Sequence, residues 1–150
     1  MKNINLIGEI VDWFKAAKPK PTKKDICSQL GVHLEEVAEM SSAINAKNLS
    51  NIIDEAAMYL KEANEDDVNE YIQKFDNVEL LDAICDQIVT SVGVGYMMGF
   101  DVEGALKEVI RSNNSKMVDG KFMFDENGKI SKPESFSEPN LKPFLGNNNE

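Results

Sequence analysis

An all-α fold is what this sequence predicts, on three observations. Apolar residues recur three and four apart through successive stretches between residues 4 and 116, the spacing of one helix face. The stretch 79–100, ELLDAICDQIVTSVGVGYMMGF, is apolar around much of a helical circumference, and its only charges are Glu79, Asp82 and Asp86. Period-two alternation, the signature of a strand, shows at Lys121–Phe124 beside a DENG turn. The expected architecture is a helical core with extra helices, a short C-terminal β-hairpin and an extended tail.

Residues 4–17 make the first amphipathic helix, with Leu6, Ile10, Trp13 and Phe14 as its stripe. The prolines of KPKPTKK end it. Thr22 and Asp25 resemble a capping box for a second helix over about 23–46, striped by Ile26, Leu30, Leu34, Val37 and Ile44. Residues 49–75 continue helical with a break near Glu65–Asp66 and show no catalytic pattern; Met58, Tyr59, Leu60, Tyr71, Ile72 and Phe75 read as packing residues. Asp76 or Asn77 caps the apolar helix, and Gly99 stops it. Asp101 then caps DVEGALKEVIRSNNSK, with Val102, Leu106, Val109 and Ile110 facing inward. The tail, KPESFSEPNLKPFLGNNNE, has three prolines and few periodic apolar residues, so it is expected to lie extended over the surface with its last residues disordered.

At 150 residues the chain is most simply a single domain, divided into an N-terminal helix and linker (1–22), a helical core (23–116) and a hairpin with tail (117–150). A net charge of −10 argues against nucleic acid or an anionic membrane as the main partner. It leaves room for a small phosphorylated ligand carried with a divalent metal. Cys27 and Cys85 both fall within helical patterns and read as reduced core thiols of a cytoplasmic protein. His33 is the sole histidine, which removes any multi-histidine site within one chain. Glu9 and Asp12 interrupt the apolar residues of the N-terminus, so no signal peptide is expected, and the uncharged run 87–100 is too short to span a bilayer.

The acids fall in two clusters. Glu35, Glu36 and Glu39 lie on the second helix, and Glu79, Asp82 and Asp86 share one face of the apolar helix. Each cluster has an ordinary explanation. The first could be a solvated face; the second could be an acidic first turn favoured by the helix dipole, plus one acid paired with a distant lysine. A carboxylate entering a buried helix is costly unless paired or metal-bound, however, and no Lys or Arg lies within 79–100. Should the two helices pack side by side, four or more carboxylates converge. Such an all-oxygen site suits Mg²⁺ or Mn²⁺, and metal-assisted hydrolysis of a phosphorylated substrate is the reaction that fits. The polar cluster Arg111–Lys116 reads either as a fraying helix end or as donors gathered for a phosphate.

E-E-x-x-E at Glu35–Glu39, a second helix with acids before an apolar run, G-F-D at 99–101 and S-N-N-S-K at 112–116, in that order, resemble the all-α NTP pyrophosphohydrolase superfamily. That group includes MazG-like, dimeric dUTPase-like and phosphoribosyl-ATP pyrophosphohydrolase-like enzymes; residues 78–145 look most like the small phage and bacterial members. The resemblance implies a MazG-like four-helix core completed by a second subunit, as a homodimer or homotetramer. It implies Mg²⁺-dependent cleavage of a (d)NTP to the monophosphate and pyrophosphate, in nucleotide-pool house-cleaning or phage nucleotide metabolism. Glu36 and Glu39 match the E-x-x-E metal ligands, and Asn113 and Lys116 the polar pair near the phosphates, with Arg111 beside them. Glu35 takes general-base or supporting duty. The second motif, E-x-x-D, fits Glu79/Asp82 literally; Asp86 leads straight into the apolar run, but Ala83 then stands where the Glu would be. The alternative is a catalytically impaired member that binds a nucleotide or a protein partner.

Overall fold

A computed structural model describes residues 5–125 and 130–146. Among these residues the chain is predominantly helical, with six α-helices and a small antiparallel hairpin. It divides into two compact units: Lys20–Asn77, and Met1–Pro19 together with Val78–Glu150.

The unit Lys20–Asn77 is built on a helical hairpin, α2 (Lys23–Ala43) and α3 (Lys47–Glu62). Thr22 and Asp25 form the capping box that their spacing predicts: the Thr22 hydroxyl accepts from the Asp25 N–H, and the Asp25 carboxylate accepts from the Thr22 N–H at 2.9 Å. The turn between the helices passes through Asn45 in the left-handed region (φ 66°), and the chain reverses. The residues that α2 buries are not its large apolar stripe. They are Cys27, Gly31, Ala38 and Ser41; Gly31 opposes Ala57 and Ala38 meets Ser50 of α3, while Ile26 and Ile44 stay exposed. Small side chains at i, i+4, i+11 and i+14, all on one helix face, let two backbones approach closely: a Cβ on Gly31 would stand 2.7 Å from the Ala57 carbonyl oxygen. Ser50 Oγ donates to the Ala38 carbonyl at 2.8 Å, and Lys24 Nζ donates to the carbonyls of Lys61 and Ala63, capping the end of α3. The expected break falls at Ala63–Asn64, where Asn64 caps α4 (Glu65–Gln73) by accepting from Asp66 and Asp67 N–H. Tyr71 and Ile72 of α4 pack on Cys27, Ala63 and Val68.

In the other unit, α1 (Leu6–Ala17) lies against α6 (Val102–Asn114) and the hairpin. Trp13 makes both contacts. Its indole N–H donates to the Asn113 carbonyl at 3.2 Å, and its ring meets Phe122 edge-on at 5.0 Å. The strands β1 (Met117–Val118) and β2 (Lys121–Phe122) are joined by Asp119–Gly120, both at positive φ (50° and 74°). Two positive φ values in a two-residue loop match the twist of a hairpin, and Asp-Gly is the sequence that supplies them. This tight turn precedes the expected DENG turn. Phe124 and Ile130 bridge across the latter, but residues 126–129 lie outside the described residues, as do 147–150 at the end of the tail.

The apolar stretch forms α5 (Asn77–Met97) and stops at Gly99 (φ 74°), where Phe100 N–H reaches back to the Gly95 carbonyl. Asp101 caps α6 by accepting from Gly104 N–H at 2.9 Å. The tail is tied down here: Asp101 N–H donates to the carbonyl of Phe144, within the 3₁₀ turn Lys142–Phe144.

One expectation is overturned. The helix read as a buried one carries its apolar residues into solvent: Leu81 is 63% exposed, Val89 68% and Met97 84%, and Gly95 alone is buried. Cys85 is exposed with it, whereas Cys27 is a core thiol as expected. Composition established that this helix wants cover, but cover is a tertiary matter, and none of the described residues of its own unit supplies it. No helix among the described residues is long and apolar enough to cross a membrane.

Candidate functional site

The close α2–α3 contact positions the first acid cluster. Glu35 is half-buried and ion-paired with Lys61 across the hairpin. Glu36 and Glu39 are exposed on the same helix. Beside the pair lies a cleft of about 280 Å³ lined by Glu35 and Glu39 from α2 and by Ser50, Asn51 and Asp54 from α3, with Ala38 and Ser42 completing it. Sequence reasoning missed Asn51 and Asp54, having seen no chemistry in 49–75. The usable signal was their i, i+3 spacing on a helix that returns along α2 after a short turn.

The cleft gathers oxygen donors from two helices, the ligand type that a hard divalent cation takes. Among the described residues, no three His, Cys, Asp or Glu side chains are drawn together tightly enough to hold a metal ion. The donor type suits a hard divalent cation, but a bound ion would have to draw the carboxylates together.

Glu79, Asp82 and Asp86 fall in the unit that contains α5, and all three are exposed. The spacing of 3 and 7 places them on one face of the helix, as expected. Thr90 Oγ1 folds back onto the Asp86 carbonyl at 2.8 Å.

The polar cluster at the end of α6 divides by role. The Arg111 guanidinium is bidentate on Glu108, at 2.7 Å and 2.8 Å, and also donates to the Glu138 carbonyl. Glu108 in turn accepts from Asn140 N–H at 2.9 Å. The Arg111 hydrogen bonds, followed by that of Asn140, hold the Glu108 carboxyl down to about 2, and Glu108 raises Arg111. The Nε–Nη2 edge of Arg111 thus helps to bind the tail to α6. Asn113 and Lys116 meet each other, Lys116 Nζ donating to Asn113 Oδ1 at 2.9 Å.

A second cavity, about 420 Å³, is lined by Leu30, Tyr59, Leu60, Tyr71, Phe75 and Lys74. The Tyr71 hydroxyl donates to that of Tyr59, which pushes Tyr71 up to about 12. Compared with known protein families, characterised proteins and solved structures, the chain matches none.

Proposed function

We propose that this protein is a Mg²⁺- or Mn²⁺-dependent nucleoside triphosphate pyrophosphohydrolase that cleaves a (d)NTP to the monophosphate and pyrophosphate. The observation that carries the reading is the oxygen-lined α2–α3 cleft, built around two acids of the E-E-x-x-E motif. When bound, the metal supplies charge neutralisation for the phosphates and a more acidic water. The protein residues do the rest. Glu36 and Glu39 would hold the metal on α2, and Glu79, Asp82 and Asp86 on α5 are the further carboxylates that the resemblance nominates as ligands. Glu35, its carboxylate oriented by Lys61, takes the proton of the attacking water as the bond between the α- and β-phosphates breaks. Asn113 and Lys116 donate to phosphate oxygens.

The proposed partner besides substrate is a second copy of the chain, docked on α5. Nine large apolar side chains of this helix are 42–84% exposed. Of these, Leu81, Ile84, Ile88 and Val92 line the side opposite Glu79, Asp82 and Asp86, and an exposed apolar surface of this kind marks an interaction site. The two free thiols and the acidic charge suit a cytoplasmic protein.

The test is pyrophosphate release from a panel of NTPs and dNTPs with Mg²⁺, Mn²⁺ or EDTA. Metal-dependent release is expected. Glu39→Ala and Asp86→Ala should each lower turnover at least about a hundredfold with helicity unchanged, the scale of losing a group that acts in the transition state. Wild-type rates in both variants would sink the assignment. Metal binding without turnover would instead favour a nucleotide- or protein-binding module, the reading to which Ala83 points.

A further inference from the structure

After β2 the chain returns along the end of α6, and Ser137 N–H donates to Ser115 Oγ at 2.9 Å. This bond sets the half-buried Phe136 beside Lys116. The Lys116 ammonium lies 5.8 Å from the centroid of the Phe136 ring, and the Lys132 ammonium lies 4.8 Å from the same centroid. Both are within reach of a cation–π attraction, so one ring holds two like charges together. They come from separate segments, Lys116 from just beyond α6 and Lys132 from the returning chain. The Asn113 amide joins them: its oxygen accepts from Lys116, which turns its N–H₂ end away as a pure donor, and its backbone is fixed by Trp13. In a chain of net charge −10, a ring that gathers two ammoniums and an amide donor runs against the average field. An anion with several charged oxygens is the ligand that such a group suits, since two ammoniums and an amide N–H₂ can each meet a different oxygen of one molecule.

We propose that Lys132 is a second phosphate-contacting cation, acting with Lys116 and Asn113 on a polyphosphate, and that Phe136 is the positioning residue that holds the two lysines in register. The proposal deepens the nucleotide reading and rests on it; the resemblance that suggests Asn113 and Lys116 says nothing of Lys132 or Phe136.

The experiment is calorimetric titration of the full chain with inorganic pyrophosphate, and separately with inorganic phosphate, in metal-free buffer, run beside the turnover assay. Pyrophosphate should bind more tightly than phosphate. Lys132→Ala should weaken pyrophosphate about tenfold, the scale of one charge-assisted hydrogen bond. Lys132→Arg should restore most of the loss, and Lys142→Ala, a charge-matched control on the same tail, should change nothing. Phe136→Leu should weaken binding while Phe136→Tyr, which keeps the ring, should not; a purely structural role for Phe136 would not track the ring. Lys132 is exposed, so its variants test the site even where a Phe136 variant perturbs folding. Unchanged affinity in Lys132→Ala alongside a loss in Lys116→Ala would overturn the proposal and leave the nucleotide reading standing. Turnover without any binding of pyrophosphate by the wild type would also overturn it. Neither binding nor turnover would remove both.

Discussion

At the scale of single residues, the clearest electrostatic arrangement is structural. Glu108 accepts from Arg111 and from Asn140 N–H, and its folded carboxyl sits near 2 against an ordinary value of 4.5. A carboxyl depressed in the folded state contributes stability above its unfolded value, and that contribution is lost as pH falls from about 4.5 toward 2. Glu108→Gln should therefore melt below the wild type at pH 7, and the gap should close as pH is lowered toward 2. Thermal melts of both proteins across that range check this, and a gap that stays constant with pH would show that the charge is not what Glu108 contributes. The same triad gives Arg111 a structural partner that the sequence did not show. A cation in a run of polar residues looks like a phosphate ligand in sequence, and only the fold shows a carboxylate one helical turn back that takes its Nε–Nη2 edge.

At the scale of elements, the α2–α3 hairpin decides the candidate cleft. Glycine in mid-helix ordinarily costs about 1 kcal/mol against alanine. Gly31 opposes that trend, because a Cβ there meets the Ala57 carbonyl at 2.7 Å and the Lys61 side chain at 2.6 Å. Overpacking of a tight interface costs roughly 1–3 kcal/mol, so the steric term wins. Gly31→Ala should lower the urea midpoint and, by displacing Lys61, loosen the partner of Glu35. Gly93→Ala is the contrast. A Cβ at Gly93 meets nothing within 4 Å in the single chain, so the same substitution should leave the monomer's stability unchanged or raise it. Sequence periodicity pointed to the large stripe of α2 as its inner face. The small residues won because close backbone approach gains contacts along the whole length of two helices, which a few large side chains held apart cannot match.

At the scale of the whole molecule, α5 asks for a partner. Its acids sit in its first half and residues 87–100 carry no charge, so antiparallel pairing of two copies sets each acidic half against an uncharged one. Ile88→Asp, in the middle of the apolar face, should dissociate the assembly without unfolding the helical hairpin α2–α3. Light scattering of wild type and variant over a range of concentrations checks it. A wild type that stays monomeric at high micromolar concentration would remove the second copy as the occupant of this face.

What the sequence determined by itself is everything set by chemistry within a few residues: six helices, the Thr22–Asp25 capping box, the Gly99 stop, the Asp101 cap and the shared face of Glu79, Asp82 and Asp86. Asp119–Gly120 was equally legible, since only its two positive φ values make the tight turn, yet the more conspicuous DENG drew the eye. What only the tertiary structure decided is which surfaces meet. It paired small faces of α2 and α3, and so brought Asn51 and Asp54 beside Glu35 and Glu39. It spent Arg111 on Glu108, gathered Lys132 with Lys116 over Phe136, and left α5 bare. The reason is range. Caps and stops satisfy backbone groups with partners three or four residues away, whereas burial and pairing between segments dozens of residues apart depend on competition among all the faces the chain can offer.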